Sequence, residues 1–355
     1  MRSAFVAIIG RPSAGKSTLI NTLCGHKVSI VSPVPQTTRN AIRGIYNESR
    51  GQLVFVDTPG YHNSDRKFNK RLTNVVMASL NDTDIILYLV DMSRPMGEEE
   101  TFLMGMISAA KRPVIVGLNK SDLVAASLSA HSNPALGAGH DNQAEADGEP
   151  VASPDIHSTD EHEKKSPSVL LAELKAALIE AIPQATTLEI SATNGYGVKE
   201  LKTALFAAAP EGQEWYPKEY YTDQDPSFRI AEIIREQVMN RTREEVPHAV
   251  YIELGDLELR SPSGELLSTG YDSSADWDLP VTKRARLKFR ASICVERDSQ
   301  KGIVVGKGGS LIKAIREASE KQLREIFPWY VELELHVKVA PKWRSDDSLI
   351  ERMIH

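Results

Sequence analysis

Between residues 4 and 210, short apolar runs alternate with longer segments of helical periodicity. The runs are FVAIIG, LVFVDTPG, DIILYLVD, PVIVGLNKSD and TTLEISATNGYG, and each ends in polar residues or glycine. Continuous apolar strands separated by helices predict an α/β fold with a mostly parallel sheet and helices on both faces. Ligands of such sheets bind beyond the carboxyl ends of the strands, which is where the polar residues cluster.

After residue 226 the pattern changes. The segment FRIAEIIREQVMNRT predicts an amphipathic helix, and HAVYIELGDLEL and LKFRASICVE predict strands of alternating polarity. The stretch between these strands, GELLSTGYDSSADWDLP, is polar and predicts a loop. A helix, a glycine turn, another helix and the strand YVELELHVKVA complete a smaller α+β domain. We therefore predict a first domain over residues 1–212, a linker over 213–226 and a second domain over 227–355.

Residues 124–168 interrupt the first domain. They contain no aromatic residue and are acidic and rich in Ala, Ser, Gly and Pro. Such a composition buries too little apolar surface to offset the entropy of ordering the chain. We predict a disordered surface insertion there, with helical periodicity returning in VLLAELKAALIEAIP.

Composition limits the class of protein. The 355 residues are 41% hydrophobic and 25% charged, as in an ordinary globular protein. No apolar run approaches the ~18 residues that a membrane span needs. Cys24 and Cys294 are the only cysteines and lie far apart, which predicts no disulfide framework and fits a reducing cytoplasm.

The distribution of charge is uneven. The net charge of −6 argues against a protein that binds nucleic acid over its whole surface. Residues 281–316 nevertheless carry ten Lys and Arg residues against only Glu296 and Asp298, a net charge of +8. A charge run is usually a solvated face, so this one indicates a binding site only in combination with a second feature.

The first glycine loop has a phosphate-binding spacing. Residues 10–17, GRPSAGKS, fit G-x-x-x-x-G-K-[ST] after a predicted strand and at the start of a helix. Backbone N–H groups of such a loop and the helix N-terminus surround phosphate oxygens. Lys16 would reach the β and γ phosphates, and Ser17 would ligate Mg²⁺. The motif indicates a nucleoside triphosphate and leaves the base open.

Three later motifs narrow the nucleotide to GTP. In DTPG, Asp57 is expected to hold Mg²⁺ through water and the Gly60 N–H to meet the γ-phosphate. In NKSD, residues 119–122, amide and carboxylate side chains suit the guanine edge, because a carboxylate accepts from the N1–H and amino groups that adenine lacks. Lys120 would lie over the base, and SAT, residues 191–193, would donate an N–H to the guanine O6. The predicted nucleotide-binding residues are Gly10, Arg11, Pro12, Ser13, Ala14, Gly15, Lys16, Ser17, Thr18, Asp57, Thr58, Pro59, Gly60, Asn119, Lys120, Asp122, Ser191, Ala192 and Thr193.

A second glycine turn, GKGGS, lies inside the basic run. It lacks the spacing of the first loop and has no serine directly after its lysine. It fits the G-x-x-G turn between two helices of a KH module of type II, where a nucleic-acid backbone approaches the glycines and a groove accepts about four unpaired nucleotides. A helix–turn–helix packed through glycines is the alternative, and the +8 charge favours RNA or another single-stranded nucleic acid. The predicted RNA contacts are Lys301, Gly306, Lys307, Gly308, Gly309 and Lys313.

With these motifs in this order, the chain resembles the translation-factor-like branch of regulatory GTPases and, within it, the Era family. PEGQEWYP, AEIIREQVM, REEVPHAV and VERDSQKGIVVGKGGSLIK look like the linker and KH domain of that family. The resemblance covers nearly the whole chain except residues 124–168 and the loop near 261–280.

The resemblance identifies QTTRN, residues 36–40, as a first switch segment, which orders with GTP and relaxes after hydrolysis. It makes Thr38, or alternatively Thr37, the Mg²⁺ ligand that senses the γ-phosphate. The predicted catalytic residues are then Lys16, Thr38 and Gly60, and the predicted Mg²⁺ ligands are Ser17, Thr38 and Asp57.

Two positions depart from the family pattern. Tyr61 follows DTPG where many GTPases have a glutamine that positions water, so we predict slow intrinsic turnover that awaits a partner or RNA. Ser13 lies where related GTPases often have an asparagine that helps to hold K⁺, which leaves potassium stimulation open.

The resemblance implies GTP hydrolysis with Mg²⁺, binding near the 3′ end of small-subunit ribosomal RNA and a role in assembly of the small ribosomal subunit. We expect a cytoplasmic monomer. Two rival classes stay open: a non-catalytic adaptor that only senses GTP, and a regulator bound peripherally to the inner face of the cell membrane.

Overall fold

The computed structural model describes residues 1–35, 37–58, 60, 82–132, 166–269 and 285–354. Within these ranges the chain forms two sheets with associated helices. The first group consists of β1 (Arg2–Ile9), α1 (Lys16–Cys24), β2 (Ile42–Glu48), β3 (Gly51–Asp57), β4 (Ile85–Asp91), α2 (Glu98–Ser108), β5 (Val114–Asn119), α3 (Ser121–Ser132), α4 (Pro167–Ala181), β6 (Thr186–Glu189) and α5 (Val198–Ala208). The second group consists of α6 (Pro226–Met239), β7 (Tyr251–Arg260), β8 (Leu266–Thr269), β9 (Arg286–Val295), α7 (Asp298–Val305), α8 (Ser310–Ile326), β10 (Tyr330–Val339) and α9 (Asp347–Ile354).

The first sheet has the order β2-β3-β1-β4-β5-β6, and the β2–β3 pair is antiparallel whereas the other pairs are parallel. Successive side chains of β1 enter different cores. Val6 and Ile8 belong to a cluster that includes α1 and α5 residues. Ala7 and Ile9 belong to a cluster with residues of α2, α3 and α4. Each fully buried aliphatic side chain contributes about 1.5–3 kcal/mol to the free energy of folding. Because separate apolar clusters join the sheet to different helices, the predicted sheet with helices on both faces is confirmed.

The second sheet has the order β10-β9-β7-β8, with β9 and β10 parallel and β7 antiparallel to β9. A third apolar cluster lies between this sheet and the helices α6, α7 and α8, to which Ile233, Val304 and Leu323 contribute. The predicted smaller α+β domain is therefore confirmed.

The predicted loop between the strands of the second domain is partly wrong. Leu266–Thr269 forms β8, which pairs antiparallel with β7 through partners such as Glu258 and Thr269. An edge strand is held by backbone hydrogen bonds and exposes much of its side-chain surface, so a polar composition does not exclude it. Residues 270–280 of the stretch lie outside the described residues.

Two further expectations need correction in the first domain. The apolar pattern predicts TTLEI as a buried strand, but β6 is an edge strand with Thr186 and Glu189 exposed, since it pairs with β5 alone among the described strands. The predicted insertion at 124–168 starts too early and ends too late, because α3 continues through Ser132 on a run of Leu, Ala and Ser and α4 begins at Pro167. Residues 133–165 lie outside the part of the chain that the structure describes.

The predicted linker runs along the edge strand β2 before α6 begins. The Ile45 N–H donates to Tyr221 O at 2.9 Å, and the Gln52 side chain accepts from Trp215 N at 2.8 Å. Asp225 then caps α6 by accepting from Ser227 N at 2.7 Å. Within α6, Arg229 Nη2 donates to Lys27 O at 3.2 Å, which places the helix beside the segment that follows α1.

Candidate functional site

The first glycine loop connects β1 to α1. A Cβ at Gly15, which has φ +96°, would lie 2.4 Å from Asn119 Nδ2, and one at Gly10 would lie 2.4 Å from Leu89 O. Both positions therefore require glycine. The resulting close turn leaves the N-terminus of α1 facing a cavity, where an anion is stabilised.

Lys16 points back into this loop. Its Nζ donates to the carbonyl oxygens of Gly10 at 2.9 Å and Arg11 at 3.1 Å. Burial lowers the pKa of Lys16 from 10.5 to about 8, and the nearby Asp57 opposes this shift. An ammonium group held by two neutral carbonyls is placed to exchange them for phosphate oxygens, which make stronger, charge-assisted hydrogen bonds.

Three side-chain oxygens meet beside Lys16. Ser17 Oγ lies 2.9 Å from Thr38 Oγ1 and donates to Asp57 Oδ2 at 2.8 Å. Thr38 Oγ1 lies 3.4 Å from the same carboxylate oxygen. Thr37 points elsewhere, since its hydroxyl donates to Val34 O at 2.6 Å. The structure thus brings Thr38, and not Thr37, next to Ser17 and Asp57.

This donor set fits Mg²⁺. An octahedral ion with metal–oxygen distances of about 2.1 Å has adjacent ligands about 3 Å apart, and Ser17 Oγ and Thr38 Oγ1 are 2.9 Å apart. Asp57 is fully buried, and its Oδ1 has no hydrogen-bond partner among the described residues. Burial raises the pKa of Asp57 above its usual value, a cost that a neighbouring divalent cation offsets.

Asn119, at the end of β5, joins the two sides of the cavity. Its Nδ2 donates to Ala14 O at 2.8 Å and its Oδ1 accepts from Ala192 N at 2.9 Å. Sequence reasoning assigned Asn119 to the base and missed this bridge. Lys120 lies 2.7 Å from Asp91 Oδ2, whereas the Asp122 side chain makes no ion pair with a described residue and lines the cavity.

Other predicted residues lie behind the cavity wall. Thr58 Oγ1 is buried and donates to Ile8 O at 2.8 Å. Arg11 is buried against Glu100 of α2, with Nε 2.6 Å from Oε1. The Ser191 N–H donates to Tyr196 O at 3.0 Å. In the SAT loop, Ala192 and Thr193 line the cavity. Pro59 and Tyr61 lie outside the described residues.

One cavity of ≈ 580 Å³ connects these groups, a volume typical of small-ligand sites. Its wall contains the predicted residues Pro12, Ser13, Gly15, Lys16, Ser17, Thr18, Thr38, Gly60, Asn119, Lys120, Asp122, Ala192 and Thr193. Thr37, the alternative Mg²⁺ ligand, also lines the wall. No nucleotide-binding motif pointed to the remaining residues, which are Ile30, Val31, Ser32, Pro33, Val34 and Leu123.

The second glycine turn lies between α7 and α8. Gly306, Gly308 and Gly309 all have positive φ, of 72°, 60° and 78°, and a Cβ at Gly306 would lie 2.7 Å from Leu311 Cβ. Lys307 is exposed at the tip of the turn, and Lys301 and Lys313 are exposed on the flanking helices. Ile303, with half of its surface exposed, adds an apolar contact surface beside them.

The basic run does not form one patch. Arg286 and Arg290 lie on β9, on the sheet, and pair with Glu332 at 3.2 Å and Glu334 at 3.1 Å of β10. Lys288 stands opposite Glu258 in the β7–β9 ladder. The positive charge at the glycine turn therefore comes from the residues of α7, the turn and α8. Lys283 and Arg284 lie outside the described residues.

A set of contacts that the sequence did not reveal joins the segment after α1 to α6. Glu236 Oε1 accepts from Lys27 Nζ at 2.6 Å and from Val31 N at 2.7 Å. Its Oε2 accepts from Gln322 Nε2 of α8 at 2.8 Å. Glu236 thus connects a wall of the cavity to the helix that begins at the second glycine turn.

The switch-like segment itself contacts the second domain. Arg39 Nη1 donates to Val250 O at 3.0 Å, and its guanidinium lies 5.6 Å from the centre of the Trp343 ring. Arg235 Nη2 donates to Thr37 O at 2.5 Å. Burial, followed by the charge of Arg235, lowers the pKa of Arg39 to about 9. We call these contacts between the switch-like segment and the second domain the junction. In the sequence, Arg39 and Arg235 fit an exposed polar face, so periodicity did not predict that they would be buried there.

Two family models match the chain. Residues 5–120 match the 50S ribosome-binding GTPase family, and residues 282–344 match the KH domain family. The protein GTPase Era of Treponema denticola is 40% identical over 353 residues, covering 99% of each chain. GTPase Era of Borreliella burgdorferi strain ZS7 is 36% identical over 356 residues, covering 100% of each.

Two solved structures are similar over the same length. One is Era in complex with MgGDPNP and nucleotides 1506–1542 of 16S ribosomal RNA, with a TM-score of 0.76 and 27% identity over 99% of this chain and 98% of that one. The other is a tyrosine-to-alanine variant of Aquifex aeolicus Era bound to GDP·AlF4⁻, with a TM-score of 0.74 and 26% identity over the same shares.

Proposed function

Because this chain belongs to the GTPase Era family, we propose that it is a GTP-hydrolysing switch that binds small-subunit ribosomal RNA near its 3′ end and acts in assembly of the small subunit. The observation that carries the proposal is the presence of two glycine turns of phosphate-binding type in one chain. Glu236 links their surroundings, because it accepts hydrogen bonds from Val31 N in the cavity wall and from Gln322 of α8. The solved Era complex with a GTP analogue and ribosomal RNA supports the choice of both ligands.

At the first site, different residues would contact the phosphates, the metal ion and the base of the nucleotide. Lys16 would exchange the Gly10 and Arg11 carbonyls for the β and γ phosphates. Gly60 lines the same cavity, and its N–H would meet the γ-phosphate. Ser17 and Thr38 would ligate Mg²⁺ directly, and Asp57 would hold it through water. When bound, the ion would supply positive charge to the phosphates. Asp122 accepts from the guanine edge, and Asn119 holds the phosphate loop against the base-binding loop.

At the second site, Gly308 and Gly309 let a single-stranded RNA backbone approach the turn, because they carry no side chain and no atom of a described residue outside the turn lies within 4 Å of where a Cβ would stand. Lys301, Lys307 and Lys313 contact phosphates, and the half-exposed Ile303 contacts a base. We assign the three domain ranges 1–212, 213–226 and 227–355 to GTPase, linker and RNA-binding parts.

We further propose that the nucleotide controls RNA binding through the junction. Thr38 senses the γ-phosphate, and its neighbours Thr37 and Arg39 contact Arg235 and Val250 of the second domain. A change at Thr38 therefore alters contacts that position the RNA-binding helices. Coupling of this kind between two sites typically amounts to about 5–150-fold in affinity.

Glu236→Gln tests this coupling. The amide keeps the size of the side chain but removes the charge that holds Lys27, and it donates where Val31 N or Gln322 also donates. We expect the ratio of RNA affinities in the GTP-analogue and GDP states to fall from its wild-type value, which such coupling places at about 5-fold or more, to near one. The measurement is fluorescence anisotropy of labelled RNA in both states.

The matched control is Glu325→Gln, an exposed position on α8, which should keep the wild-type ratio. A Glu236→Gln protein with an unchanged ratio would contradict the role of Glu236 and leave GTP hydrolysis and RNA binding in place.

Cellular location and assembly state belong to the same proposal. We propose a cytoplasmic monomer. In the described ranges, no helix is both long and apolar enough to cross a membrane. Peripheral binding to the membrane is the alternative, and co-flotation of the protein with liposomes would favour it.

A further inference from the structure

Ser29 makes a contact with the carboxylate of Asp57 that sequence motifs do not include. Its hydroxyl donates to Asp57 Oδ2 at 2.8 Å, and the residue is 1% exposed. The neighbouring residues Ile30 and Val31 line the cavity, but Ser29 does not. Ser29 therefore contacts Asp57 from the protein interior and is not part of the cavity wall.

The position of Ser29 is fixed by α1. Asn21 Oδ1 accepts from both Val28 N and Ser29 N at 2.8 Å, and Asn21 Nδ2 donates to Ser29 O at 2.8 Å. Three hydrogen bonds from one side chain hold this short backbone segment against the helix that carries Ser17. The Ser29 hydroxyl is thus preorganised relative to the proposed metal ligands.

The three hydroxyl groups on Asp57 Oδ2 differ in what a metal does to them. Ser17 and Thr38 border the cavity and are the proposed direct ligands, so their oxygens face the ion when it binds. Ser29 lies outside the cavity, so an ion bound there would not compete for its hydrogen bond to Oδ2. The other carboxylate oxygen, Oδ1, is buried and has no hydrogen-bond partner among the described residues.

We propose that Ser29 is a positioning residue of the magnesium site, which fixes the orientation of the Asp57 carboxylate through its hydrogen bond to Oδ2. This inference rests on the proposed function. Residues that orient metal ligands in this way typically contribute about 10–100-fold to metal affinity. The same segment contacts Glu236 through Val31 N. Holding Ser29 in place therefore also holds Val31 in position to contact α6.

The test is Ser29→Ala, with release of fluorescent GDP followed over a titration of MgCl₂. We expect the Mg²⁺ concentration that gives half-maximal slowing of release to rise by about 10-fold. Release in excess EDTA should match the wild type, because that condition has no metal to position. Ser29→Thr keeps the hydroxyl and should stay close to the wild-type midpoint.

Ser319→Ala is the matched control. It removes another buried hydroxyl, which donates to Ile315 O at 2.8 Å in α8, and should leave the Mg²⁺ midpoint unchanged. A wild-type midpoint in Ser29→Ala would overturn the inference, as would an equal rise in Ser29→Ala and Ser29→Thr. If the wild type itself binds no GDP or shows no response to Mg²⁺, the proposed function fails, and this outcome is distinct from failure of Ser29 alone.

Discussion

Lys16→Ala is expected to abolish GTP turnover while the protein remains folded. The Lys16 ammonium is buried in the phosphate loop, and within the described residues it is held by the carbonyls of Gly10 and Arg11. Removing one donor from developing transition-state charge typically costs about 10²–10³ in rate. We expect a loss of at least about 100-fold in single-turnover hydrolysis at saturating protein.

Burial disfavours the charged form of Lys16 and lowers its pKa to about 8. Because the buried charge does not stabilise the fold, we expect the fold to survive its removal. Circular dichroism and thermal melting of the nucleotide-free protein check this. Lys16→Met, which keeps the aliphatic stem, separates lost charge from lost packing and should be as inactive as Lys16→Ala.

The wild-type rate in the same experiment tests a second expectation. Without a water-positioning glutamine after DTPG, intrinsic turnover should be slow, below about 10⁻² s⁻¹, and should rise with RNA or a partner. Turnover that persists in both Lys16 variants would favour the non-catalytic adaptor, with the measured hydrolysis arising elsewhere.

Asp122→Asn is expected to change the base that the protein accepts. Asp122 borders the cavity without an ion-pair partner in the described part of the chain, so its carboxylate is available to the guanine N1–H and amino groups. Asparagine replaces one acceptor oxygen by a donor, which repels the guanine amino group and suits the C2 carbonyl of xanthine. Loss of one hydrogen bond to a charged group, at about 1.5–3 kcal/mol, predicts GDP binding weaker by about 10- to 150-fold.

Competition of GDP, XDP and ADP against a fluorescent nucleotide measures this preference. XDP should outcompete GDP in Asp122→Asn, and ADP should remain weak in both proteins. Asp298→Asn, an acidic first-turn residue of α7 far from the cavity in sequence, is the control and should keep the wild-type order. An unchanged preference for GDP in Asp122→Asn would remove Asp122 from base recognition.

Local motifs predicted most of the candidate site. The spacing of Gly10, Gly15, Lys16 and Ser17 specifies a turn whose backbone does the binding. The structure brings this turn to Asp57 and Asn119, at the carboxyl ends of β3 and β5 in the same sheet. The alternating and continuous apolar runs likewise predicted both sheets. Such features depend on residues close in sequence or on the common edge of a parallel sheet.

Features that depend on tertiary contacts were not predictable. Ser29 and Glu236 are a serine in a loop and a glutamate on a helix, and only folding places one on Asp57 and the other against Lys27. The basic run misled in the same way, because Arg286 and Arg290 pair with β10 glutamates that lie more than 40 residues later. By contrast, the family resemblance already favoured Thr38 over Thr37, and in the structure it is the Thr38 hydroxyl that turns towards Ser17.

The central claim is that one chain binds RNA under the control of GTP. The most direct measurement is the affinity of a labelled single-stranded RNA that copies the 3′ end of small-subunit ribosomal RNA, with GTP analogue and with GDP. Wild type is compared with Lys307→Asp plus Gly308→Asp, at the exposed tip of the second turn, and with the control Lys111→Asp on an exposed residue of the first domain.

We predict tight binding that depends on the nucleotide in wild type and in Lys111→Asp. The doubly substituted protein should lose this binding in both states and keep wild-type GTP turnover. Equal, weak binding by all three proteins in both states would contradict the account, leaving a GTPase whose second glycine turn serves only to pack two helices.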